Sequence, residues 1–184
     1  MKKGRIVLAA IVLIVTVLGV FAGPSLVETG WRLLYPRPYE ELVQREAREF
    51  SLDSSLIYAV MRTESRFHAE AKSHAGAEGL MQLTPATFQW IASLYPPENG
   101  GENVLDPSDN IHCGCALLRL LLNEFGSLDV ALCAYNAGMG NVEAWLAESK
   151  YSHDGENLHT IPYPETDSYV KKVKKAMERY EALY

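Results

Sequence analysis

The hydrophobic pattern changes character once along this chain. From Ile6 to Ala22 it runs seventeen residues without a charge, IVLAAIVLIVTVLGVFA, apolar on every side. After Glu28 it becomes amphipathic at helical spacing. Tyr39, Leu42, Val43, Ala47 and Phe50 form one stripe, with Glu and Arg between them. Asp53 is placed to cap a second helix, whose stripe is Leu56, Ile57, Val60 and Met61. Thr84-Pro85 opens a third, and Pro96 to Gly101 reads as a surface loop. Asp106-Pro107 repeats the cap-then-proline signal before an apolar helix from about Asn110 to Phe125, stopped at Gly126. Ser127 or Asp129 begins another helix, ending near Asn136 to Gly138, and a short one comes next over Val142 to Ala147. Residues 150–164 carry no period and read as a loop. Thr166 is expected to cap a last helix with Tyr169, Val170, Val173, Met177 and Tyr180 inward. Nothing alternates as a strand would, so the expected class is all-α, a single helical domain.

The apolar run is near the lower limit for crossing a hydrocarbon core of roughly 30 Å. It also resembles the apolar part of a secretory signal. Lys2, Lys3 and Arg5 precede it, and such a basic cluster stays in the cytoplasm, sending the remainder of the chain across the membrane. The expected organisation is a signal-anchor or signal peptide over residues 1–23, a linker over 24–38 with Pro24, Pro36 and Pro38, and a helical domain over 39–184. The domain is expected to work outside the cytoplasm, held at the cell membrane through residues 6–22 or released by signal cleavage.

Charge narrows the partners. Setting Lys2, Lys3 and Arg5 aside from the 17 basic residues leaves 14 against 23 acidic ones. A domain so acidic offers no basic face to a phosphate backbone, which excludes nucleic acid. Cys113, Cys115 and Cys133 match no common zinc spacing, and no metal or cofactor is expected.

One carboxylate stands out. Leu56, Val60 and Glu64 are spaced by four, which puts Glu64 on the apolar face at the helix's carboxyl end. Burial and the negative end of the helix dipole both disfavour its charged form, which suits a general acid. Pairing of Glu64 with Arg62 or Arg66 at the surface is the alternative, and spacing does not decide between them. Downstream, Ser73, Gly76, Gly79, Leu80, Met81 and Gln82 form a glycine-rich segment with neutral hydrogen-bonding groups suited to hydroxyls and N-acetyl groups. Ala134 to Gly138 places Tyr135 and Asn136 among small residues at a helix end.

Together these segments carry a resemblance. Glu64-Ser65, Gly76 to Gln82, Ala134-Tyr135-Asn136-Ala137-Gly138, and Glu165-Thr166-Asp167-Ser168-Tyr169-Val170 resemble, in order, the four motifs of soluble-type lytic transglycosylases. Asp106-Pro107 and Asn110-Ile111 with Gly114 resemble the family's intermediate segment. His68-Ala69 departs from it, standing where the family often has Asn-Pro.

The resemblance implies a lysozyme-like helical fold over about residues 39–184. It also implies cleavage of the bond between N-acetylmuramic acid (MurNAc) and N-acetylglucosamine (GlcNAc) in peptidoglycan glycan strands, closing a 1,6-anhydro ring. It makes Glu64 the acid and then the base, with Ser73, Gln82, Tyr135, Asn136, Glu165 and Tyr169 around the substrate, and Tyr135 bonded to Glu64. Two other classes stay open: hydrolysis on the same fold, as in goose-type lysozymes, with Glu165 as second acid, and a glycan-binding domain without catalysis.

Overall fold

The computed structural model describes residues 27–184, so the apolar run of residues 6–22 and its expected role as anchor or signal lie outside the described residues. Residues 37–181 form one compact unit, and residues 27–36 group with 182–184 in another. Within the expected linker, residues 27–34 are helical (α1), with Arg32 and Glu28 paired at 2.8 Å across one turn. Among the described residues no helix is long and apolar enough to cross a membrane.

The larger unit is all helix. Its elements are α2 (Glu40–Glu49), α3 (Ser54–Glu64), α4 (Pro85–Leu94), α5 (Pro107–Phe125), α6 (Leu128–Ala137), α7 (Met139–Leu146) and α8 (Pro164–Leu183). Local signals set most of the boundaries. The Asp53 carboxylate accepts from Ser55 N–H, Thr84 Oγ1 from Thr87 N–H, and Asp106 from Ser108 and Asp109 N–H. Pro85 and Pro107 occupy first helical positions, where no N–H is missed. Gly126, at φ 66°, ends α5 in the left-handed conformation.

Three boundaries differ from expectation. Helix α7 starts at Met139, ahead of the expected Val142. Asn110 is interior, because Asp106-Pro107 starts α5 earlier. Thr166 caps nothing: Pro164 opens α8, and the Thr166 hydroxyl donates to Asn136 Oδ1 at 2.8 Å.

The core forms around α3 and α5. In α3 every residue from Ser55 to Met61 is buried, so the helix is surrounded rather than half-covered. Helix α5 packs against α2, α4 and α6, and α8 lays Tyr180 flat on Tyr58, ring centres 5.3 Å apart. On α8 it is Ala176 that is fully inside, with Met177 half-buried. Cys113, Cys115 and Cys133 are free thiols in this core. Burial pushes Cys113 and Cys133 up to about 12, and Cys115 well above its ordinary value.

One buried pair was not anticipated. Glu46 is wholly inaccessible on α2, accepting from His112 Nδ1 on α5 at 2.8 Å and from Arg45 Nε at 2.7 Å. Burial alone would raise the carboxyl, but these two bonds outweigh it and hold Glu46 below its ordinary value. Burial would likewise lower His112, and Glu46 outweighs that and raises it, helped by Glu49. The pair therefore stabilises most between the two unfolded-state values, about pH 4.5 to 6.5. Below that window the stabilisation fades as Glu46 takes up a proton. Above it, it fades as His112 loses one. Glu46→Ala leaves buried His112 without its carboxylate partner, while Arg45 keeps Ser108 at 2.9 Å and Glu98 at 3.4 Å, and should cost about 3–5 kcal/mol. Urea unfolding of both proteins across pH should show the largest difference inside that window, and a flat difference would refute the assignment.

Candidate active site

Helix α3 ends at Glu64, and the chain then turns sharply through Arg66 and Phe67, both at positive φ (51° and 68°). Beside this end opens a cleft of about 500 Å³. One wall comes from Ser73, His74, Gln82 and Thr84 in the α3–α4 connection, with Thr87 of α4. Leu117 of α5, Tyr135 and Asn136 of α6, and Glu165 of α8 complete it.

Three contacts clamp the connection in place. Ser65, next to Glu64, is buried and donates its hydroxyl to Leu80 C=O at 2.8 Å. Asn110, fully buried on α5, accepts from Met81 N–H at 2.7 Å and donates to Val104 C=O at 2.8 Å and Glu78 C=O at 3.2 Å. Two glycines permit this approach. A Cβ on Gly79 would lie 2.3 Å from Asn110 Nδ2, and one on Gly114 would lie 2.2 Å from Met81 Sδ. Gly79 also sits at φ 81°, which L side chains rarely adopt.

Glu64 is the electrostatic centre. Burial raises its carboxyl to about 7, opposed only by the hydroxyl of Tyr169. That hydroxyl faces the carboxyl but falls short of full hydrogen-bond geometry, leaving it without another partner. The alternative pairing with Arg62 or Arg66 is absent among the described ion pairs. A carboxyl near 7 is half-protonated at neutrality and can both give and take a proton.

The other expected residues divide by what they touch. Tyr135 lines the cleft, but its hydroxyl donates to Met81 C=O at 2.8 Å, so it does not bond Glu64. Tyr169 takes that neighbourhood instead. It is buried and is not among the cleft-lining residues, so it bears on Glu64 rather than on a ligand. Gln82 lines the cleft at φ 50°, with its amide nitrogen committed to Ala71 and Gly79 carbonyls at 3.1 and 2.9 Å. Only its Oε1 is left for a ligand. Ser73 Oγ accepts from Ala77 N–H at 3.0 Å and keeps its own proton to donate. Asn136 Oδ1 is taken by Thr166, leaving the amide donors, and Glu165 is exposed on the wall. Sequence reasoning missed the clamping role of Ser65 and the presence of His74 in the cleft.

A second cavity of about 670 Å³ lies near the end of α5. It gathers Glu124, Glu143 and Glu156 with no hydroxyl-bearing side chain to bind a sugar, so the chemistry belongs to the Glu64 cleft.

Known proteins resemble this helical unit in sequence and in fold. The sequence profile of the transglycosylase SLT domain matches residues 41–158. A soluble lytic murein transglycosylase of Salmonella typhimurium is 34% identical over 154 residues, covering 82% of this chain and 23% of the relative. A membrane-bound lytic murein transglycosylase C of Mannheimia succiniciproducens is 32% identical over 167 residues, covering 78% of this chain and 47% of the relative. The solved structure of an inactive glutamate-to-glutamine mutant of lytic transglycosylase Slt from Pseudomonas aeruginosa superposes with a TM-score of 0.70. It is 31% identical, covering 83% of this chain and 25% of that one. The chain thus spans less than half the length of each of these relatives. A profile match over most of the helical unit, with the same fold beneath it, shows that the chain belongs to the transglycosylase SLT domain family.

Proposed function

We propose that residues 39–184 are a peptidoglycan lytic transglycosylase domain in which Glu64 serves first as acid and then as base. The observation that carries this reading is a carboxyl raised to about 7 by burial, at the wall of a cleft where Ser73, Gln82, Thr84 and Asn136 offer neutral hydrogen-bonding groups beside Glu165 and His74. Protonated Glu64 gives its proton to the glycosidic oxygen as the bond from MurNAc C1 to GlcNAc breaks. The carboxylate left behind takes the proton of the MurNAc C6 hydroxyl as that oxygen attacks C1. A 1,6-anhydro ring closes, Glu64 returns to its starting state, and no water is consumed. Glycosidases that use water or an enzyme nucleophile need a second carboxylate. Here the substrate supplies the nucleophile. The Salmonella and Mannheimia relatives, named as lytic murein transglycosylases, support the substrate class.

We further infer that the domain acts outside the cytoplasm, held through residues 6–22. The flanking Lys2, Lys3 and Arg5 and the membrane-bound relative support this. Protease added to intact protoplasts should remove the domain, and full protection would refute the orientation.

Glu64→Gln should abolish cleavage, a loss of at least ~10²–10⁴-fold, because the amide keeps the shape but holds no transferable proton. Mass analysis of muropeptides should show 1,6-anhydro ends from wild type and none from the variant. Reducing ends from wild type would mean hydrolysis instead. Wild-type rate should fall as pH rises through about 7. The raised carboxyl also makes the folded state bind its proton more tightly than the unfolded chain does. Its contribution to stability is therefore full below about 4.5 and lost through about 7. The Gln variant should consequently gain on wild type by roughly 1–3 kcal/mol between pH 5 and 8.

Tyr169 holds Glu64 below where burial alone would put it. Tyr169→Phe removes that restraint, so the alkaline limb of the rate profile should move to higher pH. A variant with an unmoved limb would show that Tyr169 only packs.

A further inference from the structure

We propose that His74 is a specificity residue of this cleft, taking a carboxylate of the peptide stem that MurNAc carries. The inference rests on the transglycosylase reading and adds which part of the substrate is recognised beside the sugars. The cleft-lining side chains include two carboxyls, Glu64 and Glu165, and a single base, His74, with no Lys or Arg. The whole domain is acidic, so a strand carrying stem carboxylates approaches like charge. Lys72, the nearest cation in sequence, is occupied by Glu78 at 3.1 Å.

His74 is exposed and makes no hydrogen bond or ion pair with any described residue. Its backbone, by contrast, is fixed. Ser73 N–H donates to Ala77 C=O at 2.9 Å, Gly76 N–H to Ser73 C=O at 3.0 Å, and Ala77 N–H to Ser73 Oγ at 3.0 Å. Gly76 turns the chain at φ 81°. A turn closed by three bonds thus presents one free imidazole at the cleft wall, and such preorganisation lowers the cost of binding. Imidazole donates an N–H to a carboxylate in either protonation state. The neutral groups of Ser73 and Asn136 suit sugar hydroxyls and acetyl groups, whereas the lone base suits the anion.

The test uses glycan strands bearing tetrapeptide stems and the same strands stripped of stems by an amidase. His74→Gln should lower the ratio of kcat/KM for stem-bearing over stripped strands about two- to fivefold, the range for an exposed charged contact. His74→Lys should keep the ratio, because it restores a donor with positive charge. An unchanged ratio in His74→Gln, including equal loss on both substrates, overturns the proposal. Binding separates this outcome from failure of the parent reading. In the Glu64→Gln protein, the Kd for the disaccharide tetrapeptide, but not for the bare disaccharide, should rise by a similar factor when His74 is replaced. If wild type yields no anhydro ends yet binding discriminates, the transglycosylase reading falls and His74 stands. If binding is indifferent to His74, the assignment falls whatever products wild type releases.

Discussion

A carboxyl largely withdrawn from water, at the edge of a cleft, is the constraint on which this site depends. Glu64 keeps its proton near neutrality because it stands at the end of a helix buried from Ser55 to Met61, and desolvation of its carboxyl there costs the charged form more than its neighbours return. The same residue on a half-exposed helix would ionise at its ordinary value and hold no proton to give. Acidity at this position is therefore set by burial far more than by the one hydroxyl, that of Tyr169, which opposes it.

The second requirement is a wall that stays where the carboxyl needs it. The α3–α4 connection has no regular element to stiffen it; only the isolated bridges from Glu78 to Lys72 and to Leu83 mark it. Asn110 and Ser65 supply the stiffness from below, each satisfying backbone groups that would otherwise be buried unpaired. Gly79 and Gly114 make room for them. Tyr135 joins the same scaffold through Met81, so the residue expected to orient the acid instead holds the α3–α4 connection.

Most helix ends were legible because caps are local: Asp53, Thr84-Pro85, Asp106-Pro107 and Gly126 act within a few residues of themselves. Glu64 was legible for a similar reason, since its spacing from Leu56 and Val60 places it on the apolar face. What escaped needed a partner far along the chain. Glu46 shares the inward face of α2 with Val43, Ala47 and Phe50, a spacing visible in the sequence. Its charge argued against burial, and His112, 66 residues away, joins the adjacent Arg45 in making that burial tolerable. Thr166 read as a cap because its preference is for helix starts, yet Pro164 already supplied one and Asn136 claimed the hydroxyl. The exchange of Tyr135 for Tyr169 beside Glu64 had no sequence signal at all. Both are tyrosines in family motifs, and which hydroxyl faces the carboxyl is decided by how α6 and α8 pack.

The three core thiols bear on how this protein could travel. Thiol–disulfide exchange proceeds through the thiolate, and with Cys113 and Cys133 pushed up to about 12 and Cys115 well above its ordinary value, the folded domain presents almost none to an oxidant. The unfolded chain has no such shelter, because its cysteines return to ordinary acidity and full exposure. Any passage through an oxidising compartment is then a race between collapse of the α5–α6 core and mispairing among sulfurs as close in sequence as Cys113 and Cys115. Once α5 and α6 have closed on one another, redox insulation comes from packing alone.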